Sequence, residues 1–109
     1  MKIDPRRMDK VTIFDVSGDI DLANSPEMRK TLLTEMREHK TPRVVVNLTK
    51  VRYIDSSGVA SLVEGLKISR DLGLRFILFG LSPAAREVLQ LSRLLKIFEV
   101  YDDEEHALA

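Results

Sequence analysis

The chain has 109 residues, enough for one hydrophobic core and too few for two, so residues 1–109 are expected to form a single domain. Its 17 basic and 17 acidic side chains cancel and no basic tract stands out, which argues against direct nucleic-acid binding because nothing would neutralise a run of phosphates. Cysteine is absent, which removes disulfides and thiolate metal sites, and no apolar run is long enough to span a membrane. The opening MKIDPRRMDK lacks the apolar centre of a signal peptide, so the expected compartment is the cytosol.

In chain order, residues 1–8 are weakly patterned, and Pro5 suits an edge strand or arm. A turn at Met8-Asp9-Lys10 leads to a strand over 11–16, with Val11 and Ile13 on one face and Thr12, Phe14 and Val16 on the other. Gly18-Asp19-Ile20-Asp21 closes it. Ser25-Pro26-Glu27 predicts a helix start with Ser25 as cap and Pro26 at the first position, and Met28, Leu32, Leu33 and Met36 form its apolar stripe. Val44 to Leu48 reads as a strand buried on both faces. A second helix runs from about Ser56 to Asp71 and stops at Gly73. A strand over 74–79 follows, then a helix opened by Ser82-Pro83 with Ala85, Val88, Leu89 and Ser92 inward. A turn over 94–97, an edge strand over 98–101 and a terminal helix capped by Asp102 complete the chain. His39 and His106 fall near a helix end and the chain end without a ligand pattern, and are expected at the surface.

This alternation requires crossovers and predicts an α/β fold with a mixed, mostly parallel sheet of four to five strands and about four helices. The first two strands, joined by a tight turn, are expected antiparallel. Loops at 18–24, 49–58 and 80–83 all leave carboxyl ends of strands, so they should line one edge of the molecule.

One stretch on that edge carries the functional signal. After VVVNL, the apolar residues Val59, Leu62, Val63 and Leu66 give a helical face, and Asp55 stands where an N-cap belongs. Ser56 and Ser57 then lie in the first turn, and Gly58 leaves the surface there without a side chain. Taken alone, D-S-S-G is more often only a helix start. Ser56 as a nucleophile would need a base, and neither histidine belongs to this edge. A magnesium site of Asp19, Asp21 and Asp55, as in a phosphoacceptor receiver, would also need a lysine on a late loop, and Gly80-Leu81-Ser82 has none. No catalytic residue, metal ligand or cofactor is therefore assigned. Ser56 makes better sense as a substrate: a phosphate at a helix N-terminus meets free N–H groups, while its added charge alters any interface there.

The run Tyr53-Ile54-Asp55-Ser56-Ser57-Gly58-Val59, with Gly18-Asp19-Ile20-Asp21-Leu22 before it and Leu81-Ser82-Pro83-Ala84-Ala85 and Leu91–Phe98 after it, resembles STAS domains, specifically bacterial anti-sigma factor antagonists. Ala60 stands where that family often has glycine. The resemblance implies a regulator rather than an enzyme. Unphosphorylated, it would bind an anti-sigma factor; that factor, an ATP-dependent serine kinase, would phosphorylate Ser56 and so release it, and a serine phosphatase would restore it. It also implies that Asp21 and Asn24 match the binding loop, and that Asp55, Ser56, Ser57, Gly58 and Val59 match the phosphorylation segment. For Asp21 a plain loop cap is an equal alternative. The other function compatible with this motif is that of a STAS accessory subunit of a lipid-transporting ABC system.

Overall fold

Met8 to Lys10 is too short for a crossover, so β1 (Lys2–Arg7) and β2 (Val11–Ser17) pair antiparallel, with Lys2 opposite Ser17 and Arg7 opposite Thr12. The computed structural model describes all 109 residues. Every later connection carries a helix, and β3 (Arg43–Lys50), β4 (Arg75–Phe79) and β5 (Glu99–Tyr101) join in parallel to give the order β1-β2-β3-β4-β5. Because the strands advance in one direction, right-handed crossovers lay α1 (Ser25–His39), α2 (Ser56–Asp71) and α3 (Pro83–Leu91) on the same face. A single-turn 3-10 helix, Leu95–Ile97, follows α3.

The main core lies under that face. Met28, Leu32 and Met36 of α1, Leu62 of α2 and Leu89 of α3 are fully covered or nearly so, against Phe14, Val44, Val46 and Leu78 of the sheet. The short α4 (Glu104–Leu108) alone covers the other face, seating Ala107 on Ile13, Val45, Ile77 and Phe79. β3 is therefore buried on both faces only along part of its length. Val45 lies in this second cluster, whereas the half-buried Asn47 donates to Asp15 at 2.8 Å. Arg6 forks onto Asp15 and also reaches Glu104, tying β1, β2 and α4 together. Burial pushes the Asp15 carboxyl up, but the hydrogen bonds from Arg6 and Asn47 outweigh it and hold it below its ordinary value.

Several element ends differ from expectation, each for a local reason. The N-cap of α1 is Asn24, and Ser25 is its first helical residue; the preceding turn is closed by Asp21, whose carbonyl accepts the Ser25 N–H at 2.8 Å. The cap of α4 is Asp103 rather than Asp102, accepting the His106 N–H at 2.9 Å. Val88 is only half-buried and Ser92 is exposed, because α3 turns them toward a groove beside α2. Leu74 falls outside β4 because its N–H closes the end of α2 on Ser69, across Gly73 in the left-handed region at φ 73.

Candidate functional site

The first two of the three loops at the carboxyl ends of the strands are joined by backbone. Ile20 and Ile54 form a parallel bridge, with Ile20 N–H donating to Tyr53 at 3.0 Å and Asp55 N–H donating to Ile20 at 3.1 Å. The third loop attaches through Ser82 Oγ, which donates to the Arg52 carbonyl at 3.3 Å. Since the strand order never reverses, this edge has no crevice of the doubly wound kind. It is a ridge of loops and helix starts.

At its centre Asp55 holds two loops with one carboxylate. Oδ1 accepts the Gly58 N–H at 3.0 Å and caps α2, while Oδ2 accepts the Leu22 N–H of the first loop at 3.1 Å. Ser56, the first helical residue, is exposed, and its hydroxyl takes no part in the protein's side-chain hydrogen bonds. Ser57 is half-buried. The two serines open onto different grooves. Ser56 borders a mostly apolar one of about 410 Å³ between α2 and α3, with Val59, Val63, Val88 and Leu94. Ser57 borders one of about 280 Å³ between α1 and α2, with Leu22, Pro26 and Arg29. Ala60 and Glu64 line both, so they form the ridge between them.

Gly58 and Val59 are buried. A Cβ on Gly58 would sit 2.6 Å from Ile54 Cγ1 and 2.7 Å from the Ile20 carbonyl, so the glycine is required by the bridge beneath it rather than by an approaching molecule. Asp21 and Asn24 lie on the same edge, with their polar groups engaged in their own turn. Asp21 Oδ1 accepts the Asn24 N–H at 3.1 Å, and Asn24 Nδ2 donates to the Asp19 carbonyl at 3.1 Å. What that turn offers outward is Leu22, 75% exposed, and the neighbouring loop offers Tyr53, 52% exposed. Sequence periodicity passes over both because they belong to no regular element; a large apolar residue inside a polar loop is the signal that finds them.

His39 is exposed, with Nε2 3.4 Å from Glu35, and His106 is exposed beside Asp103. No helix is long and apolar enough to cross a membrane.

The STAS domain family matches residues 2–107. The anti-sigma-B factor antagonist of Listeria monocytogenes is 31% identical over 105 residues, covering 95% of this chain and 90% of that protein. An anti-sigma factor antagonist from Mycobacterium paratuberculosis superposes with a TM-score of 0.86 at 25% identity, covering 98% of this chain and 90% of the other. The Bacillus cell fate determinant SpoIIAA, solved in its phosphorylated form, has the same fold at 21% identity and a TM-score of 0.74, with 98% and 96% covered. The chain is a STAS domain protein of the anti-sigma factor antagonist family.

Proposed function

We propose that this chain, acting as a single STAS domain in the cytosol, binds an anti-sigma factor while Ser56 is unmodified and is released once Ser56 is phosphorylated. The observation that carries this reading is the Ser56 hydroxyl, exposed and unbonded at the start of a helix capped by Asp55. In the transfer, Ser56 Oγ would attack the γ-phosphorus of ATP held by the partner kinase, ADP would leave, and the hydroxyl proton would pass to a base. Asp55 is poorly placed to be that base, since its two carboxylate oxygens already accept backbone N–H groups. The base is therefore expected from the kinase, and this protein is the substrate.

The α2 start suits both states. A phosphate there stays near the positive end of the helix dipole, so the fold is expected to tolerate it. The same group adds about −1.5 to −2 charge beside Asp55 and next to the exposed Leu22 and Tyr53. Desolvating that charge against a partner without a matching arginine weakens the complex about tenfold for each ~1.4 kcal/mol. A serine phosphatase acting on phospho-Ser56 would restore binding.

Affinity capture from the native cytosol tests the reading. Wild type and Ser56→Ala should both retain an ATP-binding anti-sigma factor, and Ser56→Asp should lose most of it. Retention of a membrane-associated ABC transporter ATPase instead, with Ser56 unmodified in cells, would replace this function with that of a transporter accessory subunit.

A further inference from the structure

The opposite end of the sheet gathers positive charge. β3 and β4 each begin with arginine, and the parallel register sets Arg43 directly beside Arg75. Like charges at paired positions repel, so this arrangement opposes folding unless something compensates it. Lys10 adds a third cation, held close because its carbonyl accepts the Arg43 N–H at 3.2 Å. All three line one open cleft of about 380 Å³, with Val11, Pro42 and Leu108 as its apolar wall and no carboxylate side chain in the lining.

The internal compensation is partial. Glu99 takes Nε and Nη2 of Arg75 and leaves Nη1 without a partner. Arg43 Nη1 reaches the Ala107 carbonyl and the terminal carboxylate oxygen of Ala109, each at 3.4 Å, the long limit of a hydrogen bond. Lys10 is in no ion pair with a carboxylate side chain. Three cations less the carboxylates of Glu99 and of the Ala109 terminus leave +1 on these groups. That surplus attracts an anion, and guanidinium groups suit phosphate oxygens geometrically. The apolar wall leaves room for an organic group beside the phosphate.

We propose that Lys10, Arg43 and Arg75 form a binding site for a small phosphate-bearing compound. It lies at the amino ends of the parallel strands, roughly 20 Å along the sheet from the Ser56 edge by strand rise. The site is independent of the switch at Ser56.

The test is a titration of the full chain with inorganic pyrophosphate at constant ionic strength, followed by amide chemical shifts. Saturable shifts should gather at Lys10, Arg43 and Arg75 and spare the start of α2. Lys10→Gln, in an exposed turn where folding is not at issue, and Arg43→Gln should each weaken binding about tenfold. Lys96→Gln, a cation outside the cleft, should not change it. Absence of saturable shifts, shifts centred on α2, or affinity unchanged in both cleft variants would overturn the site. Co-sedimentation with phosphatidic acid vesicles that Arg43→Gln abolishes, without any response to pyrophosphate, would overturn a soluble ligand in favour of a lipid headgroup.

Discussion

Two helix starts stand side by side on one edge and use their polar groups in opposite ways. At α1 the polar side chains turn inward: Asp21 caps Asn24, Asn24 bonds Asp19, and the outward residue is the apolar Leu22. At α2 the Asp55 carboxylate accepts the N–H groups of Gly58 and Leu22, and the next side chain, Ser56, is left unbonded and outward. The first start thus ties its polar groups into its own turn, and the second presents an unbonded hydroxyl. The difference separates residues that hold the edge from residues that a partner would meet.

The largest expected loss comes from the glycine beneath the second start. Gly58→Ala would force a methyl against Ile54 and the Ile20 carbonyl and should cost about 1–3 kcal/mol, read as a lowered urea midpoint. Asp55→Ala comes next. It removes a helix cap, worth about 0.5–2 kcal/mol, and it frees the Leu22 loop, so amide exchange at Leu22 should accelerate. Asp55→Asn should retain most of the cap.

Asp21→Ala and Leu22→Ala sharpen the comparison within the first start. Removing the Asp21 carboxylate should cost about 0.5–1 kcal/mol of stability, in the lower part of the capping range, and change partner affinity little. Leu22→Ala should shift stability by less than about 0.5 kcal/mol and weaken partner binding. The reverse pattern in denaturation and binding titrations would make Asp21 a contact and Leu22 a bystander.

The smallest effect concerns acid. The Asp15 and Glu99 carboxyls lie below their ordinary values of 3.8 and 4.5. Burial pushes Asp15 up but Arg6 and Asn47 prevail, and Arg75 holds Glu99 down. Groups lowered by folding contribute stability that is fully present above those values and is lost as pH falls through the folded ones. Denaturation midpoints should therefore begin to fall below about pH 4.5, and Arg6→Gln should reduce the Asp15 share of that fall.

Much of this architecture was legible in periodicity and capping chemistry. The spacing of Val59, Leu62 and Leu66 marked the buried side of α2, and Asp55 was identifiable as its cap from type and position alone. Less legible were features set by pairs far apart in the chain. Nothing local shows that Asp55 also accepts from Leu22, or that Gly58 is needed because Ile20 and Ile54 pass beneath it. Asn24 as the α1 cap was hidden for a similar reason: Ser25-Pro26 is the stronger local signal, and the turn closed by Asp21 overrides it. The half-covered face of β3 depends on where a five-residue helix lands.

The most direct test of the proposed switch is the affinity of the proposed anti-sigma kinase partner for the chain before and after stoichiometric phosphorylation, with the phosphate located by peptide mass spectrometry. The account predicts phosphate on Ser56, none on a Ser56→Ala chain, and binding weakened at least about tenfold with the thermal midpoint little changed. Phosphate on Ser57, or equal affinity of the two forms, would contradict it.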